Sequence, residues 1–217
     1  MKKLVVFDLD GTLTYTLKDI QTSLNLTLRR FGYEEVTIGE TRKFVGDGAR
    51  KLVERALKSQ LPDNFEEILK FYNDTYNFCG SPETYLYYGI KETVEKLKKD
   101  GYMLAVLSNK PQQGATEVIN KFFEKGTFDC VFGQREGVKV KPHPDCVNAL
   151  LKELGAKPEE TIMVGDGETD YLTAKNAETD GISVLWGYRT KEELIKAGAK
   201  VFASTPEELY TLVAKYK

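Results

Sequence analysis

The sequence predicts an α/β fold, a Rossmann-like parallel sheet with helices on both faces and an inserted all-helical cap. Three observations carry that expectation. Leu4-Val5-Val6-Phe7 is a short, uninterrupted apolar run of the kind that forms a strand buried on both faces, and it stops at an acid. From about residue 90 onward, helical spacing alternates with short apolar runs, the rhythm of repeated βα units and hence of a parallel sheet. Between them, from about residue 17 to 80, helical spacing runs on with few strand signals.

Taken in order, the opening strand 4–7 is followed by a polar connection from Thr12 to Leu17. Ile20, Leu24, Leu26, Leu28 and Phe31 then recur at roughly helical spacing and mark a helix that runs up to Gly32. A second helix opens after Gly46-Asp47-Gly48 with Leu52, Val53, Ala56 and Leu57 on one side, and Pro62-Asp63 starts a third through Phe65, Ile68, Leu69, Tyr72 and Tyr76. Beyond the block the spacing predicts helix 90–100, strand 102–107, helix 113–125, strand 130–132, helix 144–154 and strand 161–164. Helix 168–178, strand 182–185, helix 191–197, strand 201–203 and helix 206–215 complete the chain. The helical block interrupts the βα rhythm after its first strand. The expected division is therefore an α/β core of residues 1–15 and 86–217 and a helical cap of residues 16–85.

Composition narrows the function classes. The formal net charge of −2 offers no general attraction for nucleic acid or an anionic membrane, so small molecules and proteins are the expected partners. Lys96-Leu97-Lys98-Lys99 reads as the solvated face of a helix. The three cysteines, Cys79, Cys130 and Cys146, are odd in number and form no close pair, which argues against a disulfide framework or a zinc site. Only four apolar residues separate Met1-Lys2-Lys3 from Asp8, too few for a secretory signal, and no apolar run has the length of a membrane span. The expectation is a cytoplasmic monomer or homodimer that binds neither nucleic acid nor membrane.

Chemistry gathers at the strand ends. The first strand runs into Asp8-Leu9-Asp10-Gly11-Thr12, Leu107 into Ser108-Asn109-Lys110, and Val164 into Gly165-Asp166-Gly167-Glu168-Thr169-Asp170, while the loop after Phe132 reaches Val140-Lys141-Pro142-His143. In open α/β sheets ligands bind in the crevice outside the carboxyl ends of the strands. Four strand ends thus deliver acids, a hydroxyl and a lysine to one edge. His143, the one histidine, reads as a loop residue, and Asp170 suits the first turn of a helix on dipole grounds alone.

This ordered set resembles the haloacid dehalogenase superfamily: Asp8-Leu9-Asp10-Gly11-Thr12 is similar to its first motif, Ser108 to its second, Lys141 to its third, and Gly165-Asp166 through Asp170 to its fourth. The resemblance implies a Mg²⁺-dependent phosphomonoesterase that hydrolyses a small phosphorylated metabolite through an aspartyl-phosphate. Asp8 is the implied nucleophile, because a carboxylate can attack phosphorus and split one hard hydrolysis into two steps. Asp10 is the implied general acid and base. Each pair of unit charges brought together costs about 4 kcal/mol at ~4 Å and an effective dielectric of ~20, so a phosphate dianion approaching Asp8 needs cations. Mg²⁺ held by Asp8, Asp166 and the main-chain oxygen of Asp10 supplies one, and Lys141 another. Ser108 and the Asn109 main-chain N–H complete the phosphate site, and Asp170 stands behind it, on a metal-bound water or on the Lys141 ammonium.

Within the cap, Phe44-Val45-Gly46-Asp47-Gly48-Ala49-Arg50 is similar to a segment of phosphoglycolate phosphatases. Gly46 and Gly48 ahead of a helix would let main-chain N–H groups approach an anion, with Arg50 beside them, so these three are the expected specificity residues, for a substrate carboxylate. A sugar phosphate, nucleotide or pyrophosphate are alternative substrates, and Lys43, Lys51 and Lys58 leave a phosphonatase open; a non-catalytic phosphometabolite-binding protein is the alternative outside enzymes. The chain departs from the family at Tyr15-Thr16, where an acid and a small hydroxyl residue are common, and at Tyr87-Tyr88-Gly89, where Pro-Gly is common.

Overall fold

A computed structural model describes residues 2–58 and 61–216; of the expected segments, Met1, Ser59, Gln60 and Lys217 lie outside the described residues. The chain divides into two compact units, one formed by the residues up to Thr14 together with those from Leu86 onward, the other by Tyr15–Tyr85.

The first unit is the parallel α/β sheet. Its strands are β1 (Leu4–Phe7), β4 (Met103–Pro111), β5 (Cys130–Gln134), β6 (Thr161–Gly165), β7 (Asp180–Val184) and β8 (Phe202–Ala203), ordered β5-β4-β1-β6-β7-β8. Every neighbouring pair is parallel. β1 therefore lies inside the sheet, with Phe7 registered against Val106 on one side and Val164 on the other. Its continuous apolar run follows from burial on both faces. Val5 and Phe7 face a core shared with helices α5 (Ile90–Lys99), α6 (Gln112–Phe122) and α10 (Pro206–Ala214), through Val94, Leu97, Val118 and Leu209. Leu4 and Val6 face the opposite core, with Val147 and Leu150 of α7 (Asp145–Leu154) and Ala174 of α8 (Glu168–Asn176). The period of two along β1 thus separates the two helical layers. Helix α9 (Lys191–Ala197) is closed at its start by a capping box between Thr190 and Glu193.

The second unit is helical: α1 (Leu17–Arg30), α2 (Ile38–Phe44), α3 (Gly48–Ala56) and α4 (Phe65–Cys79). Leu24 and Leu28 of α1, Val53 of α3 and Ile68 of α4 are fully buried. Short α2 has no apolar stripe to announce it; a capping box between Thr37 and Glu40 sets its start. The chain leaves and re-enters the sheet unit through a two-stranded ribbon, β2 (Thr14–Tyr15) and β3 (Tyr85–Leu86), where the sequence suggests only a polar connection. Tyr15 and Tyr85 stack there with ring centroids 5.1 Å apart. Asp19 ties the returning segment down, accepting from the Glu83 N–H and the Thr84 hydroxyl.

One strand runs longer than its apolar run. β4 continues past Leu107 to Pro111, and its pairing with β5 is irregular between those two residues, so the polar Ser108-Asn109-Lys110 is carried within an extended strand end. No helix among the described residues is long and apolar enough to cross a membrane.

Candidate active site

The expected core residues come together at the carboxyl edge of the sheet. Asp8 follows β1 directly, and its N–H still pairs with the Val164 carbonyl of β6 at 2.8 Å, so the residue is held on the sheet lattice. Asp166 follows β6, Asp170 lies in the first turn of α8, and Lys141 comes from the loop between β5 and α7. All four are buried, as are Ser108 and Asn109.

Lys141 joins the acids. Its Nζ lies 2.7 Å from Asp8 Oδ1 and 2.6 Å from Asp170 Oδ1. Asp170 thus contacts the Lys141 ammonium through one oxygen, and its other oxygen accepts the Gly167 N–H at the start of α8. Lys141 is itself held by Asn109, whose side-chain amide donates to the Lys141 carbonyl at 3.0 Å and accepts the Lys141 N–H at 2.9 Å. The Asn109 side chain thus positions Lys141.

Asp166 sits in a tight frame. Its Oδ2 accepts the Tyr188 N–H at 2.6 Å and its Oδ1 the Thr12 hydroxyl at 3.3 Å. Two glycines make the frame possible. A Cβ on Gly11, whose φ is +95°, would fall 2.4 Å from Asp166 Oδ2, and one on Gly187 2.3 Å from Asp166 Cβ. The indole N–H of Trp186 donates to the Thr12 carbonyl, closing the same loop onto the first motif. Trp186-Gly187-Tyr188 is the part of the site that sequence reading missed. Its signal is a fifth strand end, β7, followed by a glycine.

Asp8, Asp166 and Asp170 each offer a carboxylate oxygen, and these oxygens lie within 4.8 Å of one another. Burial and the charges of Asp170 and Asp166 push Asp8 well above the ordinary carboxylate range, against the pull of Lys141. Burial and Asp170 raise Asp166 to about 7, against the Tyr188 N–H and the charges of Arg189 and Lys141. Burial alone would lower Lys141, but Asp170 and Asp8 outweigh it and hold the ammonium charged. Three buried acids gather beside one ammonium, and the rise of Asp8 and Asp166 reflects their burial and mutual repulsion. A hard divalent cation with oxygen preference fits that donor set.

Asp10 stands apart. Its carboxylate turns to Lys110, with Nζ 2.9 Å from Oδ1 and 3.0 Å from Oδ2. The side chain is not among the three acids whose oxygens gather within 4.8 Å of one another. Ser108 Oγ accepts the Lys110 N–H at 3.2 Å.

In the helical unit, Gly46 and Gly48 take left-handed conformations, with φ of +119° and +83°, at the turn into α3. Asp47 between them pairs with Arg55, which also donates to the Phe44 carbonyl. Arg50 forms a two-pronged pair with Glu66, both contacts 2.8 Å, and its guanidinium lies over the Phe65 ring. His143 pairs with Asp145 and takes no part in the acid cluster.

The profile of the haloacid dehalogenase-like hydrolases matches residues 5–184, which takes in the strand-end motifs from Asp8 through Asp170 and stops short of Trp186-Gly187-Tyr188. The chain belongs to this family. Among curated hydrolases of the family, the phosphoglycolate phosphatase of Aquifex aeolicus is 34% identical over 86% of each chain, and that of Vibrio parahaemolyticus 31% identical over 98% of this chain and 96% of the other. A Lactobacillus delbrueckii subsp. bulgaricus protein with the provisional designation of phosphoglycolate phosphatase superposes with a TM-score of 0.91 at 30% identity, covering 98% of this chain and 99% of its own. The fold and the hydrolase family are thereby shown together, and the chain is an enzyme of the hydrolase class.

Proposed function

We propose that the chain is a Mg²⁺-dependent phosphomonoesterase acting through an aspartyl-phosphate, with 2-phosphoglycolate as its substrate. The observation that carries the chemistry is the buried Asp8 carboxylate at the end of the central strand, 2.7 Å from Lys141 Nζ and clustered with Asp166. The substrate rests on the designation of the relatives and on the glycine turn of the helical unit at Gly46 and Gly48.

Asp8 Oδ attacks phosphorus, and the ester oxygen leaves as an alcohol after taking a proton from Asp10. Asp10, now a carboxylate, removes a proton from the water that cleaves the acyl phosphate, which restores Asp8 and releases phosphate. Lys141 balances charge on Asp8 and on the incoming phosphoryl group. Ser108 Oγ and the Asn109 N–H are the donors for the remaining phosphoryl oxygens, where charge shifts in the loose transition state. Asp8, Asp166 and the Asp10 carbonyl would hold the metal, with Asp170 behind Lys141. When bound, Mg²⁺ offsets the mutual repulsion of the acids and the phosphate and polarises the phosphoryl oxygens.

The test is phosphate release by the purified chain from a panel of phosphomonoesters that includes 2-phosphoglycolate, a sugar phosphate, a nucleotide and pyrophosphate, with and without Mg²⁺. Metal-dependent turnover led by 2-phosphoglycolate is expected. Asp8→Asn should lower it by about 10⁴-fold or more with the fold intact. Full activity in that variant would remove Asp8 as nucleophile, and turnover unaffected by chelator would remove the metal.

A further inference from the structure

Two lysines reach the carboxyl edge of the sheet, and each is tied to a different acid. Lys141 joins Asp8 and Asp170, whereas Lys110 reaches across from β4 to the loop after β1 and holds both oxygens of Asp10. The Lys110 side chain is 5% exposed and that of Asp10 20%. The lysine stem runs along the start of α6, where a Cβ built on Gly114 would sit 3.6 Å from its Cγ and Cδ. Ser108 Oγ receives the Lys110 N–H, so the backbone that carries the lysine is anchored at the same strand end.

We propose that Lys110 is a positioning residue for proton transfer: its ammonium, bridging both Asp10 oxygens, holds that carboxyl group in one orientation and apart from the Asp8–Asp166–Asp170 cluster. The inference rests on the reading of Asp10 as proton donor and acceptor. The geometry explains why a second buried lysine is present. A contact to both oxygens restricts both side-chain torsions of Asp10, and a single misaligned proton donor costs rate steeply because the proton must move as the ester bond breaks. A lone ion pair buried for stability alone is a poor use of a lysine, because desolvation offsets most of its attraction.

Leaving groups separate the roles. An alkoxide needs a proton as it departs, whereas p-nitrophenolate is a stable anion that leaves without one. kcat/KM reports the steps up to alcohol release, so it isolates this proton transfer. The experiment measures kcat/KM for 2-phosphoglycolate, glycerol phosphate and p-nitrophenyl phosphate in the Mg²⁺-loaded wild type, Lys110→Met, Asp10→Asn and the double variant. Lys110→Met should lower kcat/KM for the alkyl esters by about 10- to 100-fold, part of the 10²–10⁴-fold that a positioned acid supplies, and for the aryl ester by less than about threefold. In the Asp10→Asn background the same change should add less than about threefold, because the lysine then has nothing to orient.

Equal losses on alkyl and aryl esters, no loss, or losses that multiply with those of Asp10→Asn would overturn the inference. Asp10→Asn separates this from the parent reading. If that variant discriminates alkyl from aryl esters and Lys110→Met does not, only the role of Lys110 falls; if it does not discriminate, the proton-transfer role of Asp10 falls and the inference with it. Should Lys110→Met fold poorly by circular dichroism, Lys110→Gln replaces it, with the same expected pattern.

Discussion

In the sheet unit, the Lys141 side chain is 3% exposed against Asp8 at 10% and Asp170 at 7%; in the helical unit, Arg50 and Glu66 make an equally regular pair at 51% and 72%. The bond lengths hardly differ, yet the physical meaning does. Lys141 and its acids have lost their water, so the charge on Lys141 is held against burial by Asp170 and Asp8. Arg50 and Glu66 keep theirs, and the pair can open at little cost to meet another anion. On the proposed function, the first kind of contact suits a nucleophile held within tenths of an ångström, and the second suits a segment that recognises and releases a substrate.

The sharpest way to break the contrast is to remove one cation from each unit. Lys141→Met should destabilise the metal-free protein by about 3–5 kcal/mol in urea unfolding near neutral pH, because it leaves buried acids without compensation. Arg50→Met should leave the unfolding midpoint unchanged within error. A small loss at Lys141 would show that the acid cluster tolerates an absent ammonium, and the contrast would fail.

A pH series sharpens the same point. Asp166 is raised in the folded chain to about 7 from an ordinary 3.8, and Asp8 is raised as well. Between those values the folded protein keeps a proton that the unfolded chain has released. The stability these groups contribute is therefore greatest at the acidic end and is lost as pH rises toward about 7. Metal-free protein should show this fall in calorimetry, and saturating Mg²⁺ should flatten it, since the cation replaces the proton and stabilises by mass action. An identical profile with and without Mg²⁺ would separate the ion from these acids.

The smallest effect concerns specificity. If Arg50 exchanges Glu66 for a substrate carboxylate, Arg50→Ala should raise KM for 2-phosphoglycolate about fivefold, roughly 1 kcal/mol for one exposed charged contact, and leave p-nitrophenyl phosphate unaffected. Glu66→Gln should lower KM for 2-phosphoglycolate by freeing the guanidinium. Equal changes on both substrates in steady-state assays would remove Arg50 from substrate recognition.

The sequence by itself determined the α/β class, the helical insertion and the strand ends that carry Asp8, Ser108 and Asp166. Those features are written locally, as apolar runs of one strand's length, helical spacing, and acids or glycines where a run stops. The tertiary structure alone decided which charges meet. Lys110 and Lys141 are both lysines near the end of the βα units around β4 and β5, and nothing local tells that one holds Asp10 and the other Asp8 with Asp170. Those pairings depend on strand register across contacts separated by 29 to 133 residues. For the same reason the clamp of Tyr188 and Gly187 on Asp166 and the partner of Arg50 were invisible in the chain. A side chain's neighbours along the sequence state its chemistry, but its protonation and orientation are set by groups that only folding brings within hydrogen-bond reach.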